Sequence, residues 1–362
     1  MTGYERINNL FSHKPIDRIP VGEDFWGDTI DKWINEGHIK KGESLTEHFD
    51  FDLDRAGLIN WYADPAYGQN RLEENEDTVL IIDGNGAKLR YQKHRDSTPE
   101  HVDFLVKSRA SWEEYIKPRL LYIDRRRIPI EDFKRRLKEA KVQKRHFSSD
   151  AFGPFELMQR LCGHEMLLLS MALDPDWVKD MVITYSEFNI MHWEVLFNEA
   201  GLPQSTWIAE DLGFKLKPFM SPVMFNDILA PGYRRIFDYL HSKGLKVIMH
   251  SCGYIEPLLP KLIELGLDCL EAMESKAGMD MPSLYKKFGD KLVYFGNIDA
   301  RVLESNDHVL IDEELEKKIL PVISSGGRYI LHSDHSISPK IKYDTYCYFI
   351  KKVRDIEINK TK

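Results

Sequence analysis

Cysteine is scarce in this chain of 362 residues, which has only Cys162, Cys252, Cys269 and Cys347. Their spacing matches no disulfide framework, so each thiol either packs in the hydrophobic core or takes part in catalysis or metal binding. Long apolar runs are also missing, and none is long enough to span a membrane. The N-terminal stretch "MTGYERINNLF" lacks the apolar segment of a signal peptide. We therefore expect a cytoplasmic protein that has no membrane partner.

Positive charge is in deficit, because Lys and Arg number 50 against 58 Asp and Glu, a net charge of −8. Phosphate binding needs a clustered basic face, so this balance argues against nucleic acid as a partner. Nucleotide motifs are missing too, since no G-x-G-x-x-G follows an apolar run and no Walker A sequence occurs. Linkers and low-complexity tracts are likewise lacking, so we predict one domain over residues 1–362.

Short β-rich runs alternate with amphipathic helical patterns along most of the chain. The runs include "RIPVGEDF", "STWIAEDLGF", "KVIMHSCG", "KLVYFGNID" and "RYILHSDH", and the helical stretches between them often end on Gly. This repeat predicts an α/β fold, a single TIM-type (β/α)8 barrel with an N-terminal helical segment. The stretch "DTVLIIDGNGAKLRYQ" instead predicts a β-hairpin insertion at about 78–92. An open doubly wound sheet is the alternative architecture.

Polar side chains follow nearly every predicted strand, where the apolar run ends. They are Glu23, Asp24, Asp150, Glu210, Asp211, His250, Cys252, Glu274, Asn297, Asp299, His332, Asp334 and His335. In a parallel barrel these positions converge on the rim at the carboxyl ends of the strands, where active sites are built. We therefore predict the active site at this rim.

His250 and Cys252 lie two residues apart at one strand end, so both side chains point the same way. Imidazole nitrogen together with thiolate sulfur favours zinc. The stretch "LHSDHSIS" offers His332, Asp334 or His335 as a third ligand, and Glu210 is available as an oxygen ligand or a neighbour of the metal. The structural alternative is a thiol that fills the core and a histidine that bonds to backbone.

Several stretches carry a resemblance to a known family, among them "ERINNLFSHKPIDRIPV", "GPFELMQRLCGHEMLLLSMALDP", "VIMHSCGYIEPLLPKLIELGLDCLEAM" and "GGRYILHSDHSI". In this order they span nearly the whole chain. The chain resembles the uroporphyrinogen decarboxylase superfamily, which includes the zinc-dependent corrinoid methyltransferases. The resemblance implies a single TIM-type barrel, in agreement with the strand and helix pattern.

The methyltransferase branch carries His-x-Cys after one strand and Cys after the last, and all three bind zinc. By this resemblance His250, Cys252 and His335 are the implied metal ligands, with His335 in place of the last Cys. The implied cofactors are zinc and a methyl-corrinoid (cobalamin), and the implied partners are a separate corrinoid protein and a small thiol or similar methyl acceptor. Acid–base or orienting roles are expected for Asp150, Glu210, Asp211 and Asp299.

Two other functions stay open. The decarboxylase branch uses an Arg-bearing motif after the first strand, but "IPVGEDFWGDTIDKWINEGH" has no Arg, and Glu23, Asp24 and Asp28 would repel a polyanion. A barrel that only binds a corrinoid or small ligand is the third alternative. The direction of transfer, the methyl donor and the acceptor (coenzyme M, homocysteine or a tetrahydropterin) are undetermined, and so is the oligomeric state, for which a homodimer is an option.

Overall fold

The computed structural model describes residues 1–94 and 98–358. The strands, in chain order, are β1 (Leu53–Ala56), β2 (Asn70–Glu74), β3 (Thr78–Ile82), β4 (Lys88–Gln92), β5 (Glu100–Asp103), β6 (His146–Phe152), β7 (Ser205–Ala209), β8 (Gly213–Phe214), β9 (Lys217–Pro218), β10 (Lys246–Ser251), β11 (Cys269–Ala272), β12 (Val293–Gly296) and β13 (Tyr329–Ile330).

The α-helices are α1 (Gly3–Phe11), α2 (Gly27–Asn35), α3 (Leu45–His48), α4 (Arg109–Ser111), α5 (Lys117–Leu120), α6 (Ile130–Val142), α7 (Pro154–Leu173), α8 (Pro175–Ala200), α9 (Pro222–Met224), α10 (Ala230–Ser242), α11 (Leu259–Leu265), α12 (Met281–Phe288), α13 (Ala300–Glu304), α14 (His308–Ile323) and α15 (Tyr343–Arg354). Among the described residues, none of the helices combines the length and the apolar character that crossing a bilayer requires.

A curled parallel sheet of seven strands forms the centre of the molecule, in the order β1-β6-β7-β10-β11-β12-β13. Each strand is parallel to its neighbour, and helices follow most of the strands along the chain. The strand order never reverses, as it would in a doubly wound sheet. The predicted α/β, TIM-like architecture is therefore confirmed, and the doubly wound alternative is wrong.

The two edges of this sheet are linked by the segment Pro20–Gly22 instead of by a regular eighth strand. Leu331 donates its N–H to Pro20 O at 2.8 Å, and Asp52 donates its N–H to Val21 O at 2.8 Å. A longer ladder does not form, because Pro20 has no N–H and the Val21 N–H goes to the Asp52 carboxylate at 2.7 Å. The eighth strand predicted in "RIPVGEDF" is thus reduced to a short bridge.

Helix α1 covers the amino-terminal end of the parallel strands. It begins at a capping box in which Thr2 and Glu5 bond each other's backbone N–H groups. Its apolar face forms one buried cluster with inward-pointing residues of four strands, namely Ile7, Leu10 and Phe11 with Ile248, Cys269, Val293 and Ile330. The barrel interior is therefore apolar at this end, and its polar groups lie toward the opposite end.

A second sheet, antiparallel and in the order β2-β3-β4-β5, lies between β1 and β6 in the sequence. Strands β3 and β4 pair over residues 78–92, the segment for which a hairpin is predicted. The turn between them is held by Asp83 Oδ1, which accepts N–H groups from Asn85 and Ala87, each at 2.9 Å. This small sheet forms part of the wall of the largest cavity described below.

Candidate metal centre

His250 and Cys252 lie at the carboxyl end of β10, on the side of the strand that faces the barrel interior. The Cys252 Sγ and the His250 Nε2 are 3.4 Å apart. Within the strand, Ile248 points inward into the apolar cluster, so alternation directs His250 and then Cys252 to the same side. The strand ends in a polar pair because its last inward positions lie at the open end of the barrel.

Three further side chains converge on Cys252. Asp211, His250 and Cys252 each offer a ligand atom within 4.8 Å of the other two, and Cys252, Glu274 and His335 do the same. Asp211 follows β7, Glu274 follows β11 and His335 follows β13, so four strand ends contribute to the cluster. The structure therefore places the two predicted histidine ligands in two groups that share Cys252, and each group adds one carboxylate.

The His250 ring is held in place by a buried carboxylate from the neighbouring strand. Glu271, which is 2% exposed and opposite His250 in the sheet, places Oε2 2.7 Å from His250 Nδ1. This bond fixes the ring so that Nε2 faces Cys252. A carboxylate behind the distal nitrogen is the usual arrangement for a histidine that ligates a metal.

The turn after Cys252 is fastened to the same carboxylates. Cys252 donates its N–H to Asp211 Oδ1 at 3.0 Å, and Gly253 donates its N–H to Glu274 Oε2 at 2.6 Å. Gly253 has φ +73°, and a Cβ there would lie 2.3 Å from the backbone of Gly213. Only glycine fits this position, so the H-S-C-G sequence follows from the close approach of two rim loops.

Electrostatics around Cys252 favour charged imidazoles when no metal is present. Burial opposes the charge on His250, but Glu271 and Cys252 raise its pKa well above the ordinary value. Burial also opposes the charge on His335, but Asp334 and Cys252 raise its pKa to about 10. Burial opposes ionisation of Asp211, but its hydrogen bond with His250 lowers its pKa to about 2. A cation is thus well accommodated at this cluster.

The donor set fits zinc. Thiol sulfur, imidazole nitrogen and carboxylate oxygen are the ligand types that zinc takes in proteins. The His250–Glu271 pair adds the oriented nitrogen that such sites use. Cys252 belongs to both groups of three, so it is the side chain on which any metal bound here depends most.

Glu210 and Asp299, two of the predicted acid–base residues, lie outside this cluster. Glu210 is fully buried and caps the first turn of α7, since it accepts the N–H of Phe155 at 2.9 Å and the N–H of Glu156 at 2.8 Å. Burial raises its pKa well above the ordinary value. Asp299 accepts the Arg301 N–H at the start of α13. Both contacts support the helices they cap.

The two alternative third ligands in "LHSDHSIS" are engaged elsewhere. His332 is 4% exposed and has its Nε2 3.1 Å from Glu23 Oε1. Asp334 accepts backbone N–H groups from Ser275 and Ala300, each at 2.9 Å. Of the three, His335 is the one that the structure brings beside Cys252.

Sequence reasoning missed Glu271 and gave Glu274 no role. The available signal was a glutamate in the middle of the apolar run "LDCLEAM", which is unusual for a buried strand. Arg55, from the strand after the Arg-free stretch, was also missed. It pairs with Asp24 at 2.6 Å and lies 3.6 Å from Asp150, the remaining predicted acid–base residue.

Two cavities have walls that include neighbours of His250. The larger, of about 1000 Å³, includes Asp211 in its wall together with aromatic residues such as Trp61, Phe104 and Phe219. The smaller, of about 250 Å³, includes Glu271 and Asp150. Asp211 Oδ1 lies 3.4 Å from Nε2 of His250, and Glu271 bonds Nδ1 of the same ring. The two carboxylates in contact with the His250 ring therefore belong to the walls of different cavities, a large aromatic one and a small charged one.

Comparison with known proteins gives a family and a structural likeness over nearly the whole chain. The family model described as Uroporphyrinogen decarboxylase (URO-D) matches residues 76–356. A methyltransferase from Methanosarcina mazei has a similar structure, with a TM-score of 0.69 and 15% identity over 98% of this chain and 98% of that chain. At this identity the likeness shows the fold alone.

A Xaa-Pro dipeptidase with bound methionine shares 12% identity over 47% of this chain and 45% of that chain, with a TM-score of 0.27. That score is too low to support an argument. No curated protein matches the chain at a significant level.

Proposed function

This chain belongs to the uroporphyrinogen decarboxylase family, and on that premise we propose that it is a zinc-dependent methyltransferase that moves a methyl group between a corrinoid protein and a thiol or similar acceptor. The family match over residues 76–356 confirms the resemblance drawn from the sequence. The observation that carries the proposal is the pair of ligand groups that share Cys252, one with His250 and Asp211 and the other with His335 and Glu274.

In this proposal His250, Cys252 and His335 hold the zinc, and Asp211 or Glu274 completes the set. Glu271 keeps the His250 ring oriented, and the N–H groups of Cys252 and Gly253 keep the two carboxylates in position. Zinc would supply a positive charge that lowers the pKa of a substrate thiol and makes its thiolate available near neutral pH.

The two cavities suit two reactants of unequal size that meet at one histidine. The cavity of about 1000 Å³ has the volume and the aromatic walls to receive a large, flat, largely apolar group such as a corrinoid carried by a partner. The cavity of about 250 Å³ suits a small molecule. Both reactants would approach the cluster from opposite sides of His250.

The decarboxylase alternative has less support. Holding a substrate with many carboxylates requires free guanidinium groups. Each described Arg in the walls of the two cavities is already paired with a carboxylate, Arg55 with Asp24, Arg136 with Asp54 and Arg160 with Glu156.

The first test is the metal content of the purified protein by elemental mass spectrometry. We expect about one zinc per chain, lost in Cys252→Ala but kept in Cys347→Ala, a matched control because that thiol is also half-buried. Transfer of the methyl group from free methylcobalamin to a thiol should follow the zinc content. A Cys252→Ala protein that retains its zinc would contradict the ligand assignment. An absence of zinc after reconstitution would favour metal-free decarboxylation.

A further inference from the structure

The cavity of about 250 Å³ is lined by more acidic than basic groups. The acidic ones are Glu23, Asp24, Asp54, Asp150 and Glu271, and the basic ones are Arg55, Arg136 and His332. Two of the acids are taken by arginines, since Asp24 lies 2.6 Å from Arg55 and Asp54 lies 2.6 Å from Arg136. Because the acids outnumber the bases, the cavity favours a positively charged occupant.

Asp150 has one carboxylate oxygen for which the described residues supply no hydrogen bond. Its Oδ1 is buried and has no hydrogen-bond partner among the described residues. Arg55 Nε, at 3.6 Å, is too far for a hydrogen bond, and Nη2 of the same guanidinium donates to Asp24. A buried carboxylate oxygen without a donor is costly, and such groups usually face a ligand or an ion that supplies one.

The other ionisable side chains that line this cavity already have partners. Glu23 and His332 contact each other at 3.1 Å, and Glu271 accepts from His250 and from Trp207 Nε1. The Arg55 guanidinium lies 3.9 Å above the Trp207 ring. Asp150 is therefore the group with unused capacity, and its side chain is 22% exposed toward the cavity that it lines.

We propose that this cavity binds the ammonium group of a small amine, with the Asp150 carboxylate as its acceptor and Trp207 and Phe295 as the apolar wall along its carbon chain. The volume equals that of about eight water molecules in the liquid, which suits a chain of a few carbons. An anionic head group such as a sulfonate or carboxylate is disfavoured by the same charges. That this amine is the small substrate of methyl transfer, with its ammonium group held by Asp150 while a separate thiol accepts the methyl group, rests on the proposed function.

The test uses three probes that share a two-carbon hydroxyl skeleton and contain no sulfur. They are 2-aminoethanol, which is a cation at neutral pH, ethane-1,2-diol, which is neutral, and 2-hydroxyethanesulfonate, which is an anion. Binding is measured by calorimetry on the protein as purified and again after treatment with a chelator. We expect 2-aminoethanol to bind at least about tenfold more tightly than the diol, as for one charge-assisted hydrogen bond, and the sulfonate to be weakest.

Asp150→Asn keeps the shape of the side chain and removes its charge, so it should abolish the preference for 2-aminoethanol. Asp54→Asn is the matched control, because it removes one negative charge from the same cavity but from a carboxylate already paired with Arg136. An equal loss in both variants would mean that the cavity attracts cations without a specific acceptor, which would overturn the assignment of Asp150. Equal affinity for all three probes, or a preference for the sulfonate, would overturn the proposal.

The ranking of the probes on the unaltered protein stands without either variant, so the proposal stays testable if Asp150→Asn does not fold. The ranking of the probes, read beside the zinc content, also separates this inference from the proposed function. A protein that holds no zinc but prefers 2-aminoethanol has the amine site without the metal chemistry. A zinc protein that shows no preference among the probes has the metal centre without the amine site.

Discussion

Replacing Asp52 by Ala is expected to lower the free energy of unfolding by about 3 kcal/mol, because this carboxylate holds together the segments that close the barrel. Asp52 is 2% exposed and forms ion pairs with Arg6 and Arg18. It also accepts the N–H of Val21 at 2.7 Å, in the bridge between β1 and β13. Helix α1 and this bridge are therefore fastened to the same side chain.

The magnitude follows from what the substitution leaves behind. Breaking a buried ion pair costs about 3–5 kcal/mol when one charge stays buried without its partner. Arg6 is 4% exposed but keeps a second carboxylate, since Asp17 lies 2.7 Å from its Nε. The cost should therefore fall at the lower end of that range. With an unfolding entropy of about 2.1 cal/mol/K per residue over 362 residues, about 3 kcal/mol corresponds to a fall of about 4 °C in Tm.

Urea unfolding followed by tryptophan fluorescence, with a thermal melt beside it, measures both quantities. The matched control is Asp17→Ala, which removes the other partner of Arg6 from a position that is 39% exposed. We expect this exposed partner to contribute about 1 kcal/mol or less. The reasoning is refuted if Asp52→Ala unfolds at the same urea concentration as Asp17→Ala, because burial would then not decide the cost.

Two further substitutions test the role of individual buried groups. Burial lowers the pKa of His146 from 6.5 to about 3, so the stability it contributes is complete above pH 6.5 and declines by about 1.4 kcal/mol per pH unit as the pH falls toward 3. His146→Gln should therefore lose stability less steeply than the unaltered protein between pH 6.5 and 4 in urea titrations, and parallel slopes would contradict this. Glu210→Gln should cost about 1–2 kcal/mol, because an amide cannot accept both N–H groups of α7, yet zinc content should not change. Loss of zinc in that variant would return Glu210 to the metal centre.

Strand alternation could be read from the sequence, and it predicted the heart of the candidate site. His250 and Cys252 are two residues apart and point the same way, and the parallel order of the strands brings His335 beside Cys252. The same rule says that Glu210 and Asp211, which follow β7 as adjacent residues, face opposite ways, but it could not say which of the two faces the cluster. Neighbours along a chain face opposite ways, so one carboxylate reached the cluster and the other the N-terminus of α7.

Charge compensation between distant segments could not be predicted. Glu23 and Asp24 were expected to repel anions because their own stretch contains no Arg. In the folded chain Asp24 is paired with Arg55 from β1, and Glu23 with His332 after β13. The register of β1 against the bridge decides this pairing, and no local pattern records that register. For the same reason a regular eighth strand was expected. In the folded chain the Val21 N–H, which such a strand would use for pairing, is donated to the Asp52 carboxylate instead.

The way the barrel is closed has a consequence for how the protein is made. Arg328 donates to Leu10 O at 3.1 Å across 318 residues, and Thr29 donates to Ile337 O at 2.6 Å across 308. At about 5–20 residues per second, a ribosome needs roughly 16–60 s to reach Arg328 after it has made Leu10. During that interval the apolar face of α1 is covered only by the strands already made, and Ile330 of β13 is the last member of its cluster to be added. The nascent chain therefore exposes apolar surface of α1 to chaperones, and to other nascent chains on the same messenger RNA, until synthesis is almost finished.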